Sequence, residues 1–327
     1  MSETLAPPSS TTEEVAQELK SRTHFVMVSH LKPDGDTLGA GLALGLALKA
    51  LGKKVWYFQE GTVPRNLRFL PDADLVTNKL PSDLPSNTMF VFGDMANISR
   101  AGETLPSLKR ENVLDIDHHL GNERFGAFNY VIEDECSTGT CVLRLLRELG
   151  SEITPQIATC ILTTIMTDTG GFMHSNTTAE VLRTSGWLVE AGADKEKITE
   201  EIFANKRLEA QKLLGAVLTR AVLDDAGRYC WSAIDQALID ELGADYEDTE
   251  DIVNQLLAVE GVEVAALFKD FEGVVRVSLR SRGRVNVQAA ARRVGGGGHF
   301  RASGLTYPGN LQEAIAGVHS ALYAEGL

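Results

Sequence analysis

The sequence predicts an α/β protein: a mostly parallel sheet in the N-terminal domain, then a smaller α+β C-terminal domain, joined by a helical linker. Three observations carry this expectation. Over the first half, short apolar runs bounded by turn residues alternate with helix-length apolar stretches, as parallel strands connected by helices do. From about residue 223 the pattern changes to strands joined by a tight turn among shorter helices. The length, 327 residues, suits one large or two ordinary domains. The expected boundaries are 1–195, a linker at 196–222, and 223–327.

Each element has its own signal. "MSETLAPPSSTTEE" lacks the basic residues and apolar segment of a signal peptide, so it reads as a short disordered tail before a first helix. "HFVMVSH" (24–30) reads as a buried strand, and "TLGAGLALGLALKALG" (37–52) as a packed helix stopped by Gly52. "KVWYFQ" (54–59), "MFVFGD" (89–94) and "NVLDIDHH" (112–119) are three further strands. "STGTCVLRLLRELG" (137–150) has a Ser/Thr start and a Gly stop around a helical pattern. "TPQIATCILTTIMTDTGGF" (154–172) is another helix, with Pro155 in its first turn and Asp168 at its exit. The stretch from 196 to 222 has helical spacing and no Gly before Gly215, which predicts one connecting helix. Beyond it, "RYCWSAI" (228–234) reads as a strand and "DTEDIVNQLLAVEG" (248–261) as a capped helix. "VEVAALFKD" and "FEGVVRVSLRS" form a hairpin turning at Phe271-Glu272-Gly273, and a helix around "VQAAARRV" runs into four glycines.

Composition narrows the function classes. A charged content of 23% with 43% hydrophobic residues describes an ordinary globular chain, and no apolar run reaches membrane-spanning length, which points to a cytoplasmic protein with no membrane partner. Cys136, Cys141, Cys160 and Cys230 form no CxxC pair and carry no chemistry. The formal net charge of −14 repels a long polyanion, so extended DNA or RNA is not the expected partner. Between Gly273 and Gln312, however, there are seven Arg and no Asp, Glu or Lys; without those seven the chain stands at −21. Such a run is often only a solvated basic face. On an acidic chain it is equally a local grip for a small anion.

The polar residues at strand and helix exits are His30, Asp34, Asp36, Asp94, Asp117, His118, His119 and Asp168. Each alone has an ordinary explanation as a cap, a turn former or a core histidine. Together they are harder to dismiss. In a parallel sheet ligands gather at the carboxyl ends of strands, and several carboxylates meeting there cannot all stay ionised without cations. Imidazole and carboxylate without thiolate suit Mn, Co or Zn, and the carboxylate richness leans to Mn or Mg, of which Mn is the expected ion. Two such ions about 3.5–4 Å apart can share a carboxylate and stabilise both oxygens of an in-line phosphoryl displacement. The remaining feature is "GGGGHFRASG" (295–304), whose bare backbone can cup a phosphate beside His299, with Arg280 able to contact one bidentately.

These motifs, "HLKPDGD", "GDMANISR", "DIDHHLGN", "MTDTGGF" and "GGGGHFRASG", resemble in this order the DHH phosphoesterases, and the last marks their DHH-associated C-terminal domain. The resemblance extends over nearly the whole chain, and its length and "SNTT" run (175–178) look closest to the NrnA-like branch of nanoRNases and phosphatases of 3'-phosphoadenosine 5'-phosphate (pAp). It implies one Mn held by His30, Asp34 and Asp94, and a second by Asp36, Asp94, His118 and Asp168. Asp117 would support the ligands from behind, and His119 would face the scissile phosphate. Arg280, Gly297, Gly298 and His299 would hold the terminal phosphate of a short substrate. Arg100 either contacts phosphate or braces Asp94. Met173, His174 and the Thr37-Leu38 pair depart from the family pattern without touching a ligand position.

The function implied is a Mn-dependent phosphoesterase that degrades very short oligoribonucleotides to mononucleotides, dephosphorylates pAp, or both, with a homodimer as a family expectation. A first alternative is a phosphodiesterase for linear or cyclic dinucleotides such as pApA, pGpG or cyclic di-AMP. An inorganic pyrophosphatase is disfavoured by the glycine run before His299. A nucleotide-binding regulatory protein without turnover is the alternative of another class.

Overall fold

The computed structural model describes residues 9–327 apart from Pro106 and Glu272. Most of the tail expected ahead of the first helix, and the Glu272 centre of the hairpin turn, lie outside the described residues. Two compact units divide between Asn205 and Lys206.

The first unit runs α1 (Thr12–Ser21), β1 (His24–Ser29), α2 (Gly35–Ala50), β2 (Lys54–Gln59), β3 (Val76–Thr77), β4 (Met89–Gly93), β5 (Val113–Asp117), β6 (Phe128–Val131), α3 (Thr138–Leu149), α4 (Pro155–Asp168), α5 (Ala179–Glu190) and α6 (Lys195–Ile198). Its strands make one parallel sheet in the order β3-β2-β1-β4-β5-β6. The order reverses between β1 and β4: β1 leads through α2 to β2 on one side, while β4 is followed by β5 on the other. Loops leaving β1 and β4 therefore diverge and open a crevice at the carboxyl edge, where ligands bind in sheets of this kind. His30 and Asp94 are the first residues past those two strands.

One face of the sheet is covered by α1 to α4, and the other by loop residues including Met95, Ala101 and Phe125. Strand side chains such as Phe25 and Phe92 are completely buried, each stabilising the fold by roughly 1.5–3 kcal/mol. Helix α2 is apolar on nearly every side because it is enclosed on nearly every side. Gly39 in its middle would cost about 1 kcal/mol in an exposed helix. Here a Cβ at that position would stand 2.7 Å from the carbonyl oxygen of Cys160, so the glycine lets α2 and α4 touch.

The second unit contains α7 (Leu208–Thr219), β7 (Val222–Leu223), β8 (Tyr229–Asp235), α8 (Gln236–Leu242), α9 (Ile252–Leu257), β9 (Val264–Phe271), β10 (Val274–Ser281), α10 (Val287–Arg293), β11 (Gly297–Gly298), β12 (Ala302–Tyr307) and α11 (Leu311–Ala324). Its sheet, ordered β11-β12-β10-β9-β8-β7, is antiparallel except for the β8–β9 pair. Residues of α7, α8 and α9 pack with one of its faces, those of α10 and α11 with the other.

Three expectations change in detail. The connecting segment is not one helix: α6 continues as a π-helical turn over Thr199–Ala204, and a new helix begins at Leu208. The break is held by Arg207, whose Nη1 donates to Asp245 at 2.7 Å and to Asp248 at 3.0 Å. That contact also shortens the helix expected at 248–261, because the Asp248 carboxylate is occupied by Arg207 and the amide of Asp245 instead of capping a helix. Asp251, at φ 63°, then makes the entry to α9. Finally, the glycine run is not an open loop throughout: Gly297 and Gly298 pair with Gly304 and Ser303.

Candidate metal centre

Seven of the eight polar residues singled out at element exits converge at the carboxyl edge of the first sheet in three sets of three, with Asp94 and His118 each belonging to two sets. His30, Asp34 and Asp94 form one set, Asp36, His118 and Asp168 a second, and Asp94, His118 and His119 a third; within each set the donor atoms lie within 4.8 Å of one another. Asp117, the remaining one, stands behind the histidines.

Local structure explains each placement. Asp34 caps α2, its Oδ1 accepting from the amides of Asp36 and Thr37, both at 3.1 Å. The ordinary turn-forming role is thus real. It does not exhaust the residue, since the same Oδ1 is 3.8 Å from Nε2 of His30. Asp36, in the first turn of α2, is completely buried and accepts from the amides of Thr138 at 2.7 Å and Gly139 at 3.0 Å, at the start of α3. Asp94 takes a left-handed φ of 63°, a conformation that Asp tolerates better than most residues. Nη1 of Arg100 donates to its carbonyl oxygen at 3.1 Å and lies 3.5 Å from Nε2 of His119. Arg100 therefore braces the Asp94 turn and also reaches the histidine.

The two oxygens of Asp94 face different sets. Oδ2 lies 3.6 Å from Nε2 of His30, and Oδ1 lies 3.6 Å from Nε2 of His118. Nε2 of His118 is also 3.1 Å from Asp168 and 3.7 Å from Asp36. Asp117 works behind the histidines. Its Oδ1 accepts from the His118 amide at 2.8 Å and sits 2.7 Å from Nδ1 of His119, while Oδ2 accepts from Asn122 at 2.6 Å.

So many carboxylates make the bare cluster electrostatically costly. Burial raises the pKa of Asp36 well above the usual carboxylate range, and the charges of Asp168 and Asp94 add to the rise. Burial opposes a charged imidazole at His118, yet Asp168, Asp36 and Asp94 overcome it and bring the pKa up to about 11. At His30 burial is likewise outweighed, here by Asp34 and Asp94, and the pKa reaches about 9. Protons or cations must balance the acids. Nε2 of His30 is buried and, among the described residues, has no hydrogen-bond partner. A buried nitrogen left so is costly and suits a cation. All four cysteines are buried and unbridged, so the donors are nitrogen and oxygen alone.

The other four candidates lie in the second unit. Arg280 is opposite Ala302 in the β10–β12 ladder, Gly297 and Gly298 pair with β12, and the His299 amide donates to the Ala302 carbonyl at 2.7 Å. All four gather at one end of that ladder. Burial lowers the Arg280 pKa, partly offset by Asp251 and Glu250. Thr138 and Asn122, absent from the sequence-based candidates, prove to hold Asp36 and Asp117; their only signals were a helix start and the motif "DIDHHLGN".

Comparison with known proteins adds three findings. Residues 24–165 match the DHH family, N-terminal domain, and residues 228–324 match the DHHA1 domain. The chain is 36% identical over 314 residues to the bifunctional oligoribonuclease and PAP phosphatase NrnA of Thermus thermophilus, covering 95% of this chain and 93% of that one. It is 26% identical over 86% of its length, and 88% of the relative's, to the protein of the same description from Bacillus subtilis. The crystal structure of an exopolyphosphatase-related protein from Bacteroides fragilis superposes with a TM-score of 0.86 at 25% identity, covering 96% of each chain. Among the described residues no helix is long and apolar enough to cross a membrane.

Proposed function

From the premise that this chain belongs to the DHH family and carries a DHHA1 domain, we propose that it is a two-metal phosphoesterase, using Mn, that hydrolyses very short oligoribonucleotides to mononucleotides and removes phosphate from pAp. The observation that carries this reading is the disposition of Asp94, one oxygen toward His30 and the other toward His118. A carboxylate so placed is suited to bridge two cations. His30, Asp34 and Asp94 would hold one, and Asp36, Asp94, His118 and Asp168 the other. The relatives described as oligoribonuclease and PAP phosphatase support the substrate class.

When bound, the ions activate water at neutral pH and stabilise charge on the attacking and leaving oxygens. The chain's own residues do the rest. Asp117 orients His119 through Nδ1, and although burial opposes it, the Asp117 and Asp94 charges keep that imidazole's pKa raised. His119 can therefore hold a proton at Nε2 for donation to a phosphate oxygen. Arg100 fixes the Asp94 turn and reaches within 3.5 Å of that nitrogen. Arg280, Gly297, Gly298 and His299 would bind the terminal phosphate of a short substrate. The acidity of the chain disfavours longer strands.

A panel of pAp, pApA, pGpG, a 5-mer and a 50-mer, each with Mn and with chelator, tests the reading. AMP from pAp and mononucleotides from the short oligomers, all Mn-dependent, are expected. Preference for one dinucleotide alone would favour the dinucleotide phosphodiesterase, and tight binding without hydrolysis would favour a regulatory protein.

A further inference from the structure

Helix α3 begins at Thr138, a residue with no exposed surface that touches two acidic residues of different sets. Its amide donates to Asp36 Oδ2 at 2.7 Å, and its hydroxyl donates to Asp94 Oδ1 at 3.3 Å. The next amide, of Gly139, donates to the other Asp36 oxygen at 3.0 Å. Among the described residues Asp94 is the one recorded partner of the Thr138 hydroxyl. At 3.3 Å that bond is long for a hydroxyl and a carboxylate.

The helix start that carries these groups is itself fixed. Ser137 caps α3, its Oγ accepting from the Thr140 amide at 3.3 Å, and the same Oγ lies 3.0 Å from Thr164 Oγ1 on α4. Gly139 has no room for a side chain, since a Cβ there would meet Thr164 Oγ1 at 1.9 Å. Helix α4 also ends in Asp168. Thr138 is thus held in a corner among α2, α3 and α4, the helices that supply Asp36 and Asp168. A cap needs only the Ser137 oxygen; the buried Thr138 hydroxyl is superfluous to the helix and specific to Asp94.

We infer that Thr138 is a positioning residue chiefly for the second cation set, linking Asp36 and the His118-facing oxygen of Asp94 so that an ion can settle among Asp36, Asp94, His118 and Asp168. The inference rests on the two-metal reading above. The first set feels Thr138 only through the shared Asp94 carboxylate, whose contact there uses Oδ2, while its other members stand at the β1–α2 loop and do not touch Thr138. Partners behind metal ligands are ordinarily worth about 10–100-fold in metal affinity.

The test is Mn binding to the full chain, followed by calorimetry and by electron paramagnetic resonance, for the parent, Thr138→Val, Thr138→Ala and Thr138→Ser. The parent is expected to bind two ions and to give the exchange-coupled signal of a close pair. In Thr138→Val one of the two steps stays in place while the other weakens by about 10–100-fold, and at two equivalents the signal of isolated ions replaces the coupled one. Thr138→Ala behaves the same way, which removes valine crowding as the cause, and Thr138→Ser restores the pair by returning the hydroxyl. Equal weakening of both steps, unchanged binding in Thr138→Val and Thr138→Ala, or a Thr138→Ser as defective as Thr138→Val would each overturn the inference. A parent that binds fewer than two ions would instead remove the two-metal reading beneath it. Melting temperatures of the metal-free proteins identify any variant whose loss is one of folding.

Discussion

Nδ1 of His118 lies 3.1 Å from the carbonyl oxygen of Glu135, on the far side of the ring from the acids. A hydrogen on Nδ1 donated to that carbonyl leaves the Nε2 lone pair facing Asp168, Asp94 and Asp36, the arrangement that makes a histidine a fixed ligand. His118→Ala and Asp94→Ala should therefore abolish Mn-dependent hydrolysis, with activity falling to the level of the chelated parent. Circular dichroism and melting should show the fold retained, since each removes one member of a crowded charged set. Full activity in either variant would remove that residue from the metal assignment.

Asp115 gives a pH dependence of stability. It lies on β5 two residues before Asp117, fully buried, and among the described residues neither of its carboxyl oxygens has a hydrogen-bond partner. Burial, and then the negative charge of Asp117, pushes its pKa up to about 8. The unfolded chain releases the same proton near pH 4. A carboxyl raised in this direction stabilises the folded state at low pH, and the contribution is lost as pH rises from about 4 through about 8. Asp115→Asn is expected to exceed the parent by on the order of 5 kcal/mol at pH 8 and to lose that advantage near pH 4. Urea melts at both pH values measure the difference; a pH-independent difference would contradict the assignment.

The contact between Gly139 and Thr164 makes a packing prediction. A methyl group at 139 must displace α3 from α4, and the amides that hold Asp36 move with α3. Gly139→Ala should cost about 1–3 kcal/mol, as overpacked cores do, and should weaken Mn binding as well. Adding Thr164→Ala removes the Oγ1 and Cγ2 contacts, leaves the Cβ contact at 2.6 Å, and should recover part of the loss. A double-mutant cycle reads the coupling, and strictly additive effects would show that the seam does not govern the site.

Arg280 is placed by its ladder beside the turn that carries His299. In the proposed role of phosphate grip it would contribute to substrate binding and not to bond cleavage, so Arg280→Ala should raise KM about tenfold with kcat nearly unchanged. Arg280→Lys should recover part of the binding, since Lys keeps the charge but not the bidentate geometry. Steady-state kinetics on a dinucleotide measure both; a fall in kcat at constant KM would move Arg280 from binding to chemistry.

What the sequence made legible follows the reach of local signals. β1, β2, β4 and β5 are continuous apolar runs ending at polar residues, and their ends were readable to within two residues. The eight polar residues at element exits were readable because His and Asp crowd where a turn needs only one of them. β3 spans only Val76–Thr77, and α9 is shortened by an ion pair reaching from Arg207 to Asp248; no local pattern encodes either. Thr138 escaped for a similar reason. A Thr at a helix start has an ordinary local meaning, and only packing of α3 against α2 and α4 gives its hydroxyl a second one.

The central claim is that Asp94 stands between two cations. Diffraction from crystals equilibrated with Mn, measured at the manganese absorption edge, tests it most directly. Two anomalous peaks are expected, one enclosed by His30, Asp34 and Asp94 and the other by Asp36, Asp94, His118 and Asp168. A single peak at saturating Mn, or none among these side chains, would contradict it.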